Sequence, residues 1–174
     1  MNLAQHGRIH GEGAVMSNDT AATSGSLFRD VKNAFGELFS GKLDPRQELL
    51  IQVSFGLLGA MARADGVVSA EEAAFTNTLM EELKLNARAR QIATESFATG
   101  CRRDYDYSAD ARRLLAQFKP GSSEVERLYS GLLRLAGADA RIRPGEQRFL
   151  LQITTALGFP EDELHKRIPG IGAA

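Results

Sequence analysis

The 174-residue chain contains no tryptophan, one cysteine, five prolines and three histidines. A single cysteine cannot close an internal disulfide, which fits a reducing compartment such as the cytoplasm. His6 and His10 fall in a polar N-terminal stretch, so His165 is the one imidazole in the remainder of the sequence. No apolar run approaches the roughly 18 residues needed to span a bilayer. The opening residues, MNLAQHGRIHGEGAVMSNDT, lack the apolar centre of a secretory signal. Nor does one sign of charge dominate: 21 Lys and Arg stand against 22 Asp and Glu, a net charge of -1. That balance excludes a strongly basic nucleic-acid binder and an acidic disordered protein. His-Glu-x-x-His, Gly-x-Ser-x-Gly and a phosphate-binding loop are also missing. The expectation is a cytoplasmic protein with no membrane span, no nucleic-acid partner and no catalytic activity.

What is present is helical patterning. Residues 1–25 are rich in Gly, Ala, Ser, Thr and Asn without hydrophobic periodicity, and read as a disordered tail. Met16 is a second possible start. From Leu27 the apolar residues Phe28, Val31, Phe35, Leu38 and Phe39 recur at helical spacing. Gly41 ends that helix, and Asp44 with Pro45 opens the next as N-cap and first turn. Further helices follow over about 45–64, from the 65–68 loop to Leu83, over 86–99 and 107–118, from a cap at Ser122 or Ser123 through Leu135, and over 144–157 and 160–168, punctuated by Gly100 and by Lys119-Pro120-Gly121. No window alternates with β-branched residues, so no sheet is expected. The predicted fold is all-α, a single bundle of about eight helices over 26–168, with a short flexible C-terminus at 169–174.

The sequence also repeats itself. Ala64-Asp65-Gly66-Val67-Val68-Ser69-Ala70-Glu71-Glu72-Ala73-Ala74-Phe75 aligns with Ala138-Asp139-Ala140-Arg141-Ile142-Arg143-Pro144-Gly145-Glu146-Gln147-Arg148-Phe149, an offset of 74 residues from Asp65 to Asp139. The match continues downstream, Leu79 with Ile153, Leu83 with Leu157 and Leu85 with Phe159. Each copy is a helix, an Asp-bearing turn, an aliphatic residue, and a helix start with Glu. Two such copies imply a pseudo-symmetric pair of helical hairpins.

The repeated carboxylates admit two readings. In the first they are structural. Ser69-Ala70-Glu71-Glu72 is a capping box, Pro144 and Glu146 suit the first turn of a helix, and Asp65 and Asp139 can accept from turn amides. In the second, Asp65 with Glu72 and Asp139 with Glu146 converge across their turns on a hard divalent cation, Ca²⁺ or Mg²⁺. The EF-hand pattern fails: counted from Asp65, the third, fifth and twelfth positions are Val67, Ser69 and Thr76.

The doubled Ala-Asp-Gly-x-Val-x-x-x-Glu pattern resembles the TerB-like family, which includes the tellurite-resistance protein TerB and the region preceding the J domain in DjlA-type co-chaperones. The DjlA likeness is the closer. Between the repeats, Phe97-Ala98-Thr99-Gly100, then Asp104-Tyr105, then Gln117-Phe118-Lys119 follow the order of that region. The second copy departs from the pattern in carrying Ala140 for Gly. The resemblance covers about 47–168 and implies an isolated helical module. No His-Pro-Asp tripeptide of a J domain occurs in the sequence, so the chain is not expected itself to stimulate an Hsp70 ATPase by the J-domain route. The resemblance further implies a role in stress response or tellurite resistance through a protein partner, or through metal handling.

Three other features complete the reading. Cys101 lies beside Arg102 and Arg103, where cations can stabilise a thiolate, but no base accompanies it, so it reads as a free thiol near a helix end. Arg102, Arg103, Arg112 and Arg113 interleave with Tyr105 and Tyr107, yet Asp104, Asp106 and Asp110 intervene, giving a salt-bridged face. The Phe28, Phe35 and Phe39 face of the first helix is expected to pack within the bundle or to form a homodimer. Gly56 and Gly59 are expected to let a neighbouring helix approach closely.

Overall fold

The structure, a computed structural model, is described over residues 19–66, 68–137 and 142–171, and its side chains over the same ranges except 19–27 and 71. Local chemistry sets most helix starts. At α2 (Pro45–Arg63), Asp44 accepts from the Gln47 amide at 2.8 Å and Pro45 occupies the first turn. At α3 (Ala70–Glu82) the capping box closes in both directions: the Glu72 amide donates to Ser69 Oγ at 3.1 Å, and the Ser69 amide to Glu72 Oε2 at 2.7 Å. Asn86 caps α4 (Ala87–Gly100) through the Ala89 amide at 2.9 Å, and Asp106 caps α5 (Tyr107–Gln117) through the Ala109 amide at 2.9 Å. Ser122 precedes α6 (Ser123–Ala136), Pro144 begins α7 (Pro144–Ala156), and a short α8 (Glu163–Arg167) follows. With α1 (Asp19–Leu38) these are eight helices, and no strand occurs among the described residues.

Helix α2 is the centre of the bundle. Its buried residues run almost continuously from Leu50 to Met61, including Ser54, Gly56 and Gly59, so the helix is covered on all sides. It packs most extensively on α4, then on α5 and α7. The α2–α4 crossing is set by glycine, as the sequence led us to expect. A Cβ on Gly100 would collide with the Gly56 carbonyl, and one on Gly59 with the Phe97 carbonyl. Alanine at Gly100 would gain roughly 1 kcal/mol in helix propensity. Overpacking typically costs about 1–3 kcal/mol, and a backbone carbonyl cannot rotate out of the way, so close approach decides the residue.

The aromatic face of α1 packs into the bundle against α6. Phe35 is fully buried, lies against Gly131, and stacks on Phe39 at 5.7 Å, which in turn stacks on Phe55 at 5.9 Å. Phe28 meets Phe75 edge-on at 5.5 Å. At the other end Tyr129, also fully buried, shares a 2.7 Å hydrogen bond with the Thr154 hydroxyl and stacks on Phe159 at 4.4 Å. The Arg167 guanidinium lies over both rings and bonds Glu126 and Glu163 at 2.9 and 2.7 Å. That clamp holds α8 to α6.

Three boundaries differ from the sequence reading. Helix α1 begins at Asp19, ahead of the apolar periodicity that starts at Leu27, because polar residues can extend a helix already anchored at its C-terminal half. Helix α8 starts at Glu163 rather than at Pro160. The C-terminal stretch is not wholly free, since Ile171 is only 7% exposed and packs on the core beyond a turn at Gly170. Residues 1–18 of the expected tail lie outside the described residues.

Candidate functional site

The first Asp-bearing turn sits at the end of α2. Gly66 adopts φ +113°, a conformation that favours glycine, and its amide donates to the Arg63 carbonyl at 2.7 Å. This turn presents Asp65 not to its own helix start but to the start of α7. Asp65 Oδ1 accepts from the Gly145 amide at 3.0 Å, and Oδ2 lies 3.7 Å from Arg143 Nε. The residue at the N-cap of α7 is Arg143, which supplies no side-chain cap, so a carboxylate 80 residues before Gly145 fills that role. Its negative charge also suits the positive end of the helix.

Gly145 makes this joint possible. It is buried, and a Cβ there would collide with both the Ala64 carbonyl and Asp65 Oδ1. Sequence reasoning missed Gly145 and the Asp65 contact. The available signal was glycine directly after Pro144 in a first turn, where its propensity cost asks for a packing reason. Ile142, just before this helix start, packs against the core.

The other repeated carboxylates are also committed to helix starts where they are described. Glu72 belongs to the capping box of α3, and Glu146 Oε2 accepts from the Arg143 amide at 2.9 Å. Asp139, with Ala138, Ala140 and Arg141, lies outside the described residues, as does Val67. Among the described residues there is no group of three or more His, Cys, Asp and Glu side chains placed to hold a metal ion.

Beside the joint lies an open cleft of about 400 Å³, where the end of α2, the loop after α4 and the flank of α7 meet. Arg63, Arg102, Arg103 and Arg148 line it, with Tyr107 and Phe149 on its apolar wall. Arg102 is bonded through two nitrogens to Asp104, at 3.0 and 2.8 Å. Farther along, Arg113 bonds Asp110 at 2.7 Å and Arg112 lies 3.9 Å from Asp106, so most of this stretch is the salt-bridged face its sequence suggests.

Tyr105 is a strut within that face rather than a stacking platform. Its hydroxyl donates to Asp110 Oδ2 at 2.8 Å, and its ring end lies against Gly56 of α2. Burial first, and then the Asp110 bond, push its ionisation far above the ordinary tyrosine range. Cys101, at the C-cap of α4, is the free thiol near a helix end that the sequence suggests. Burial pushes the thiol up and outweighs the opposing charge of Arg63. Arg102 is already engaged by Asp104. His165 is exposed on α8.

Among the described residues no helix is long and apolar enough to cross a membrane. No solved structure matches the chain significantly. Among curated proteins, the co-chaperone protein DjlA of Vibrio vulnificus strain YJ016 is 30% identical over 127 residues, 71% of this chain and 43% of that protein. DjlA of Haemophilus influenzae is 28% identical over 134 residues, 75% of this chain and 45% of its own length. The chain thus spans less than half of these relatives. The profile of the family described as tellurite resistance protein TerB matches residues 52–167, from within α2 to the end of α8. On that match, which takes in both sides of the Asp65–Gly145 contact, the chain belongs to the TerB family.

Proposed function

We propose that the chain is a non-enzymatic protein-interaction module acting in a bacterial stress setting in the cytoplasm. The observation that carries this reading is the similarity to DjlA over 71% of the chain, a protein whose name is that of a co-chaperone. The TerB profile, whose description is tellurite resistance, supports the stress setting. The surface proposed for contact is that of the repeated carboxylates Asp65, Glu72 and Glu146, together with Asp139, which lies outside the described residues. A photo-crosslinking residue at Ala70, exposed at the start of α3, should give a discrete protein adduct during tellurite or heat challenge, while one at Arg29 on α1 should not. Equal labelling at both positions would defeat the reading, as would a turnover activity abolished by Cys101→Ser or His165→Ala.

A second reading is binding of a divalent cation, Ca²⁺ or Mg²⁺, by the same four carboxylates. It is favoured by one feature of the joint: Asp65 and Glu146 both serve the start of α7, bringing two of the repeated carboxylates to one helix end. An ion at about 100 times its dissociation constant would add roughly 2.7 kcal/mol, several degrees in Tm. A rise of that size after chelation and readdition, lost in Asp65→Asn/Asp139→Asn, supports this role. No change with either ion would return the carboxylates to capping alone.

A further inference from the structure

The arginine-lined cleft carries more positive charge than the surrounding protein neutralises. None of its lining residues is acidic. Of its four arginines, Arg102 is spent on Asp104, and Arg63 donates to the Cys101 carbonyl at 3.3 Å, which leaves its charge uncompensated. Arg103 and Arg148 are exposed, and neither has a hydrogen-bond or ion-pair partner among the described residues. They come from different elements, the loop after α4 and the middle of α7, yet line the same cavity. Guanidinium groups gathered without carboxylates repel one another, and an incoming anion relieves that repulsion while offering bidentate geometry. The lining also has an apolar part: Tyr107 and Phe149 meet edge-on at 5.4 Å, and the Tyr107 hydroxyl contacts Gln152. Charge for carboxylates and an apolar shelf for intervening side chains are what a short peptide segment requires.

We propose that this cleft binds a short acidic segment of a partner protein, with Arg103 and Arg148 receiving its carboxylates. The assignment rests on the interaction-module reading and names the chemistry of the partner. The length of the ligand follows from the rim. Asp104 and Asp106 are exposed on the stretch after α4 that lines the cleft, and Asp65 bonds Gly145 at its edge, so negative charge borders the arginines. A nucleic-acid backbone continuing past the cleft would run into those carboxylates, and the chain as a whole has a net charge of -1. Two or three carboxylates on a flexible segment match the local excess.

The test is fluorescence anisotropy of a labelled hexaglutamate peptide against the full chain, at low and at high salt. The peptide should bind the native chain and Arg29→Gln alike, and salt should weaken it. Arg103→Gln/Arg148→Gln should weaken binding by about tenfold or more, as expected for removing the charged side of a complementary contact. Both positions are exposed, so an unchanged Tm for the double variant would separate lost binding from lost structure. Undiminished binding by the double variant, or equal binding of hexalysine, overturns the proposal. So does a short DNA duplex that displaces the peptide at equal charge. If the Ala70 adduct forms while hexaglutamate fails to bind, the cleft proposal fails and the interaction module stands. If neither occurs, both fail.

Discussion

The turns that open α3 and α7 have similar sequences, yet their first-turn amides find acceptors in different places. At α3 everything is local: Ser69 and Glu72 satisfy each other's amides within four residues. At α7, Arg143 stands where Ser69 stands in the first copy, and the missing acceptor arrives as Asp65 from the end of α2. One helix start can therefore form by itself, while the other is finished only by tertiary contact. A recurring sequence pattern conserves the need for a cap without conserving its source.

The largest effect that would break this contrast is expected at Gly145. Valine there would drive the Ala64 backbone away and detach Asp65, at a cost of about 2–4 kcal/mol, read as a fall in the midpoint of chemical denaturation. Next comes the pair Asp65→Ala and Ser69→Ala, each expected to cost about 1 kcal/mol as a lost cap. Hydrogen exchange distinguishes them. Asp65→Ala should accelerate exchange in the first turn of α7, whereas Ser69→Ala should accelerate it only in α3. Faster exchange in α7 from both variants would erase the distinction. The smallest effect sharpens the comparison. Arg143→Ser gives α7 its own cap, and should reduce the penalty of Asp65→Ala to a few tenths of a kcal/mol in a double-mutant cycle. The lost Arg143 contact itself should matter little, being 3.7 Å long with the arginine side chain 58% exposed.

The same contrast explains what could be read from the sequence. Helix starts marked by Asp44, Ser69 and Pro144 were legible because caps are local chemistry. The glycines at 56 and 59 announced a close helix crossing, since nothing else favours glycine within a helix. The partner in that crossing was not legible. Helix α2 pairs chiefly with α4, and α1 with α6, because packing choice depends on surfaces assembled from distant segments. Asp65 looked like a residue of its own turn, and the gathering of Arg63, Arg103 and Arg148 around one cleft left no trace in linear spacing.

The order of events during folding is written into the Asp65–Gly145 contact. The beginning of α3 is complete as soon as a handful of neighbouring residues turn, but the beginning of α7 stays open until the end of α2 has been brought to it across 80 residues of chain. In a folding chain, the first turn of α7 is thus a record that the two halves have met.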